Sequence, residues 1–374
     1  MKIIFACGGT AGHINPALAV AGFIKEKEPR SEILFIGNAG GMEERLVTNA
    51  GFPIKLIKIS GFARSLSPKA IKKNIQTAVR TLTSSSAAKK IIKDFNPDIV
   101  VGTGGYVAGP VLHAAAGLKI PTVIHEQNAY PGVTNKMLSK TAEKVMLAIA
   151  DAREHFDKNC DCVVTGNPVR REIINADKAE ARLKLGLDSR PVVLSFGGSL
   201  GAQRINEGVA DLVARSAKDK AYQHIHAYGK YGSFFPELLK EKGADLDNSP
   251  NLDIREYIDN MAECMAAADI VISRAGAITL SEIQALGKPS VLIPSPNVAE
   301  NHQYHNAMAL VNNGAAEIIE EKDLTGELLI EKVDALLKNP EKLREYTENA
   351  RKMAIVDANE RIYAVIKQVL KQYK

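Results

Sequence analysis

Two α/β domains, each built on a doubly wound parallel sheet, follow from three features of the chain. Its 374 residues exceed what one ordinary hydrophobic core organises and suit two domains of common size. Short runs rich in Ile and Val alternate with helical stretches, the pattern that puts helices on both faces of a parallel sheet. The alternation comes as two successive series, interrupted at "TGNPVR".

The first series is "KIIFAC", "EILFIG", "PIKLIKI", "DIVVG", "PTVIHE" and "KVMLAI", closed by a strand ending at Thr165. Gly166-Asn167-Pro168 then breaks the pattern before a charged helix, which assigns the first domain to residues 1–165. "PVVLSFGG", "HIHAYG", "NLDIREY", "DIVIS", "PSVLIP" and "AAEIIE" form the second series, in a domain of residues 166–344. Beyond Pro340 the pattern is helical only, in "PEKLREYTENARKMA" and "NERIYAVIKQVLKQY". A return of residues 345–374 over the first domain is open to these helices.

Composition removes several function classes. With 45% apolar and 24% charged residues the chain reads as globular and cytosolic. The opening run Ile3 to Cys7 is too short for a signal-peptide core, and no run approaches the roughly 20 apolar residues that span a bilayer. Cys7, Cys160, Cys162 and Cys264 make no CxxC pair and read as idle thiols. His224 with His226, and His302 with His305, lack further ligands of metal-site spacing. Asp245-Leu246-Asp247 sits in a polar turn. Neither a metal nor an organic cofactor is expected.

The net charge of +5 is concentrated. Between Arg64 and Lys93 there are eight Lys or Arg and no acid, leaving the remainder slightly acidic. Ile71, Ile75, Val79 and Leu82 recur at helical spacing beside Lys72, Lys73 and Arg80. Such a helix either docks its apolar stripe on its own domain or rests on an anionic lipid surface through Ile71, Lys72, Ile75, Val79 and Arg80. Nucleic acid is not expected as a partner, since the segment has no interleaved aromatics and no reading module.

Chemistry is expected at three glycine-rich turns, "GGTAGH" (Gly8 to His13), "GTGGY" (Gly102 to Tyr106) and "GGSLGA" (Gly197 to Ala202). In open α/β sheets ligands bind outside the carboxyl ends of the strands, where glycine permits close approach and helix N-termini favour phosphate. Three such turns, shared between both domains, point to a nucleotide or pyrophosphate ligand. A dinucleotide dehydrogenase is excluded by glycine spacing and by Gly37 and Asn38, which stand where its ribose-binding acid belongs.

The motifs "GGTAGHINPALAVA", "GTGGYVAGPVLHAA", "IHEQNAYPGVTNK", "TGNPVR", "SFGGSLGAQRIN", "SRAGAITLSEI" and "ENHQYHNA" occur in the order seen in the MurG family. The chain resembles that family from Lys2 to about Gly314, and its final helices match in type alone. The resemblance implies a GT-B fold, two Rossmann-like domains facing a central cleft. It implies inverting transfer of N-acetylglucosamine from UDP-N-acetylglucosamine to the C4 hydroxyl of undecaprenyl-pyrophosphoryl-N-acetylmuramyl-pentapeptide, converting lipid I to lipid II in peptidoglycan synthesis. The implied location is the cytoplasmic face of the membrane, as a peripheral protein among cell-wall synthesis proteins. The first domain would take the acceptor and the second the UDP-sugar, and the family favours the lipid reading of Arg64 to Lys93.

Site residues follow from the resemblance position by position. Ala277, Ile278, Thr279, Leu280, Ser281 and Glu282 would contact the nucleotide, with Glu282 accepting from the ribose hydroxyls. The Ile258 backbone would read uracil. Ser199 and Arg170 would hold the diphosphate, Arg170 stabilising charge on the departing UDP. Gln303 and Asn128 would contact the sugar, and Thr10, Ala11 and Gly12 would make the first-loop contacts to the donor. Ala11 stands where glycine is usual in the family, narrowing the freedom of the turn, and Leu200 where Gln is frequent. A base must take the proton of the attacking hydroxyl; His13 has a suitable ordinary pKa, and Glu126 competes for the role. The other readings are a GT-B enzyme with a different lipid acceptor, a UDP-N-acetylglucosamine 2-epimerase, and a non-catalytic nucleotide-sugar-binding module.

Overall fold

The computed structural model describes residues 1–59, 84–246 and 248–373. The expected membrane-contact residues Ile71, Lys72, Ile75, Val79 and Arg80 lie outside them. The chain divides into two units, one of Met1–Pro168 with Asp357–Lys374, the other Val169–Val356.

The first unit holds β1 (Lys2–Cys7), α1 (Ala11–Lys27), β2 (Glu32–Asn38), α2 (Met42–Asn49) and β3 (Ile54–Ile57). A helix described over 84–95 (α3) precedes β4 (Ile99–Gly104), α4 (Ala108–Gly117), β5 (Thr122–Glu126), α5 (Val133–Leu138), β6 (Lys144–Leu147) and β7 (Cys162–Val164). The strands form one parallel sheet in the order β3-β2-β1-β4-β5-β6-β7. β1 from Ile3 to Cys7 and β4 from Ile99 to Val101 read as unbroken apolar runs because helices cover both faces of the sheet, so every side chain in them is buried. The order reverses between β1 and β4, and such a reversal leaves a crevice at the carboxyl ends of the two strands.

In the second unit α6 (Arg171–Ile174), α7 (Lys178–Lys184), β8 (Val192–Phe196), α8 (Gln203–Asp219), β9 (Gln223–Ala227), α9 (Phe235–Glu241) and β10 (Leu252–Arg255) come first. They are followed by α10 (Met261–Ala267), β11 (Ile270–Ser273), α11 (Ala277–Leu286), β12 (Ser290–Leu292), α12 (His302–Val311), β13 (Ala316–Ile318), α13 (Gly326–Leu337) and α14 (Pro340–Met353). The parallel order β10-β9-β8-β11-β12-β13 reverses between β8 and β11. α14 buries Tyr346 and Ala350 in this unit. The last helix, α15 (Ala358–Gln372), instead joins the first unit, where Ile362, Val365, Ile366 and Val369 pack with Ile14, Ala17, Ala21 and Ile24 of α1. Glu28, just past α1, accepts from Tyr363 Oη (2.6 Å) and Lys367 Nζ (2.7 Å), latching α15 in place. Among the described residues no helix is long and apolar enough to cross a membrane.

The His224 and His226 pair points into the core of the second unit. Ser195 Oγ lies 2.7 Å from His224 Nε2 and 2.7 Å from His226 Nδ1, and both rings are fully buried. Burial holds the His226 imidazole down at about 3, and His224 is pushed well below its ordinary value by burial and by its neighbour. The unfolded chain takes up protons near pH 6.5 that the folded chain refuses. Stability is therefore full above that pH and is lost as pH falls toward about 3, by up to ~1.4 kcal/mol per pH unit for each ring. Urea midpoints of the full chain are expected to fall steadily from neutral to mildly acidic pH. His226→Phe, at a ring already packed 4.5 Å from Phe235, should flatten that dependence; an unchanged slope would contradict the assignment.

Candidate active site

In the first unit the carboxyl ends of the adjacent strands β1, β4 and β5 carry the polar residues. β1 stops at Cys7 and α1 starts at Ala11, leaving Gly8, Gly9 and Thr10 as the turn. Ala11 opens the helix outside the left-handed region, so a side chain there costs the turn nothing. Thr10 makes no side-chain cap; its Oγ1 lies 3.2 Å from His13 Nδ1. The Gly8 carbonyl is 3.2 Å from the same nitrogen. A carbonyl only accepts, so Nδ1 carries the hydrogen and Nε2 is the free basic nitrogen of the neutral ring. The ring edge rests on Gly104, where φ is +106° and an added Cβ would sit 2.7 Å from His13 Cδ2. Burial pulls the His13 pKa below its ordinary value, against the opposing pull of Glu126, the Gly8 carbonyl and Glu43.

Glu126 ends β5, buried, and its carboxylate is saturated. Oε1 accepts from the Asn128 backbone N–H (3.0 Å) and Nδ2 (3.0 Å). Oε2 accepts from the Gly132 N–H (3.1 Å) and Asn135 Nδ2 (2.8 Å). His125 donates from Nε2 to the Gly166 carbonyl (2.9 Å), and its Nδ1 accepts from Gln127 Nε2 (3.0 Å); burial keeps it neutral.

Glu43, in the first turn of α2, was not singled out from the sequence. It is fully buried, accepting the Asn38 N–H at Oε1 (2.9 Å) and the Gly9 N–H at Oε2 (3.3 Å). The Gly9 amide therefore faces a carboxylate. Its sequence signal is weak: an acid two residues after "GNAGG", beyond the Gly37 and Asn38 that stand where a dehydrogenase carries its ribose-binding acid.

In the second unit "GGSLGA" joins β8 to α8. Gly201 (φ +82°) is fixed by close approach, since an added Cβ would lie 2.2 Å from the Tyr228 carbonyl. Ser199 is exposed at this turn, on a hollow of about 590 Å³ that Gln303, Arg274, Ser295 and Glu321 also line. Gln303 Oε1 accepts from the Ser295 N–H (2.9 Å). Arg274, which the sequence reading passed over, pairs with Glu321 and donates to the carbonyls of Ile293 (3.2 Å) and Pro294 (3.1 Å).

Arg170, just before α6, meets Glu282 in the middle of α11, where Arg170 Nε donates to Glu282 Oε1 at 3.0 Å. Arg170 also reaches Glu172 (3.1 Å), so its ion pairs lie within the second unit. Gly276 precedes α11 without a side-chain cap, and Ser281 Oγ turns back onto the Ala277 carbonyl (3.0 Å). Leu280 and Ile258 are core side chains, 1% and 3% exposed, which leaves only their backbone for a ligand. Ile278 and Thr279 are half-buried on the same helix. Thr10 and Asn128 stand beside His13 and Glu126; Gly12 is exposed.

Two Rossmann-like units, each with a glycine turn where its strand order reverses, carry the candidate residues, a histidine beside a buried acid in one and an Arg–Glu pair in the other. Residues 3–147 match the N-terminal domain of glycosyltransferase family 28, and residues 192–362 match its C-terminal domain. A UDP-N-acetylglucosamine–N-acetylmuramyl-(pentapeptide) pyrophosphoryl-undecaprenol N-acetylglucosamine transferase from Acetivibrio thermocellus is 49% identical, covering 99% of each chain. The crystal structure of MurG from Acinetobacter baumannii matches with a TM-score of 0.79 at 30% identity, over 98% of this chain and 99% of that one. UDP-N-acetylglucosamine 2-epimerase from Neisseria meningitidis shares the fold alone, with a TM-score of 0.63 at 17% identity over 99% of this chain and 100% of its own. The chain belongs to glycosyltransferase family 28 and, within it, to the MurG family.

Burial raises the pKa of Glu282 against the pull of Arg170, so holding this carboxylate ionised costs stability as pH rises past the ordinary carboxyl value. Glu282→Gln should leave the Tm of the ligand-free protein unchanged or raise it by about 1–3 °C, because the half-exposed Arg170 returns to water. A clear drop in thermal scans would show the ion pair to be a net stabiliser.

Proposed function

We propose that the chain transfers N-acetylglucosamine from UDP-N-acetylglucosamine to the C4 hydroxyl of undecaprenyl-pyrophosphoryl-N-acetylmuramyl-pentapeptide, with inversion at the anomeric carbon. Full-length likeness to relatives named for this reaction carries the reading. The chemistry of the first unit supports it over an epimerase or a binding module, neither of which needs a base for an acceptor hydroxyl.

The base is His13. Its ring is neutral near pH 7, Nδ1–H is held by the Gly8 carbonyl, and Nε2 is open to accept the hydroxyl proton. As that proton moves, the hydroxyl oxygen bonds to the anomeric carbon and the bond to the UDP oxygen breaks. Glu126 is not the base, because four N–H donors occupy its oxygens. Its charge instead favours the imidazolium that forms. Thr10, Ala11, Gly12 and Asn128 serve the acceptor side and the incoming sugar.

UDP-N-acetylglucosamine is the ligand of the second unit. Glu282 takes the ribose hydroxyls, the backbone at Ile258 reads uracil, and the start of α11 from Ala277 through Ile278, Thr279, Leu280 and Ser281 lies along the nucleotide. Ser199 and Arg170 hold the diphosphate, where Arg170 stabilises the leaving charge. Gln303 contacts the sugar from the hollow beside Ser199. The acceptor's polyprenyl chain sets the location at the cytoplasmic face of the membrane, where the basic segment Arg64 to Lys93 meets anionic lipid.

The decisive assay follows labelled N-acetylglucosamine from UDP-N-acetylglucosamine to a lipid-linked muramyl-pentapeptide in detergent; product that needs both substrates is expected, and free epimerised sugar nucleotide would defeat the reading. His13→Ala should lower kcat by about 10²–10⁴ with little change in UDP-N-acetylglucosamine affinity. Gly104→Ala, which drives a Cβ into the same ring, should lower it by about 10². Because burial lowers the His13 pKa, the acid limb of kcat/KM should lie below pH 6.5, the ordinary value for histidine. An acid limb above that value would argue against His13 as the base.

A further inference from the structure

Glu43 has no part in the chemistry described so far, yet its carboxylate ends on the peptide group that holds His13. The N–H of Gly9 and the C=O of Gly8 are two ends of one planar peptide. The N–H donates to Glu43 Oε2 (3.3 Å), and the C=O accepts from His13 Nδ1 (3.2 Å). The line runs from a buried carboxylate through one rigid amide to the imidazole. Three glycines close the carboxylate in: a Cβ at Gly8, Gly37 or Gly41 would come within 2.4, 2.6 or 2.6 Å of the Glu43 side chain. It has one place to sit.

We propose that Glu43 is a positioning residue for His13, acting through the Gly8–Gly9 peptide: its charge polarises the amide, strengthens the Gly8 carbonyl as acceptor, fixes the Nδ1–H tautomer and favours the imidazolium as the proton arrives. The inference rests on the reading of His13 as the base. Hydrogen bonds in series strengthen one another, and a buried charge is poorly screened. Glu126 at the end of β5 and Glu43 on α2 are the charged groups facing the ring, with Tyr106 from the β4 turn and Cys7 from β1 beside the same peptide.

The test is the titration of His13 by ¹⁵N and ¹³C NMR in the full chain, comparing wild type with Glu43→Gln, which loses the charge, and Glu43→Asp, which keeps it. Glu43→Gln should shift the His13 titration down by on the order of 0.5–1 pH unit, and the acid limb of kcat/KM with it. It should lower kcat by about 10-fold while KM for UDP-N-acetylglucosamine stays put; Glu43→Asp should recover most of the titration shift. Identical His13 titration in wild type and Glu43→Gln would overturn the proposal. Should Glu43→Gln not fold, the wild-type ¹⁵N spectrum decides alone, since a neutral ring protonated at Nε2 would equally overturn it. His13→Ala with undiminished turnover would instead remove the base role and leave the measured coupling to Glu43 standing.

Discussion

The first unit depends on how closely its two central turns approach. A Cβ at Gly105 would lie 2.1 Å from the Gly8 carbonyl, and one at Gly104 would strike the His13 ring. No side chain fits there, so the turns after β1 and β4 touch backbone to backbone. That contact sets where α1 begins and which way His13 faces, while Thr103 Oγ1 fastens the His13 carbonyl from the β4 side (2.7 Å). The second unit repeats the device with Gly201 and Gly229 between the turns after β8 and β9. The glycines thus serve packing first, and ligand geometry follows from it.

Labour is divided between the units on this scheme. The first holds proton chemistry: one neutral histidine, one saturated carboxylate and a second buried acid beneath the turn. In the proposed scheme the second holds recognition and leaving-group charge, at the Arg170–Glu282 pair and the hollow beside Ser199. Arg170 and Glu282 satisfy each other in the ligand-free chain. If they bind nucleotide as proposed, an internal ion pair is exchanged for contacts to ribose and diphosphate, which tempers the net affinity those charges supply.

Fold class was legible because parallel strands covered on both faces leave uninterrupted apolar runs such as Ile3 to Cys7 and Ile99 to Val101, and two such series announce two sheets. The glycine turns were legible as motifs, and the candidate site residues were chosen from those motifs. What sequence could not supply was saturation and pairing. That Glu126 has no free lone pair depends on Asn128, Gly132 and Asn135 folding back on it. Glu43 lies 34 residues from Gly9, and no local pattern announces a contact made across two strand ends. Arg274 with Glu321 escaped for the same reason, the partners standing 47 residues apart. His224 and His226 showed the converse: a spacing that invites a metal reading proves to be two core rings sharing one serine hydroxyl.

The return of α15 to the first unit has a consequence for biosynthesis. The second unit is one continuous stretch, 169–356, and can fold as soon as it leaves the ribosome, whereas the first also needs residues 357–374, made after the whole of the second. Until then Ile14, Ala17, Ala21 and Ile24 of α1 lack the covering that Ile362 and Ile366 provide. Of the two units, the one begun earlier is thus completed later, and a nascent chain that stalls before residue 357 displays an apolar helix face for chaperones or for a neighbouring copy to cover.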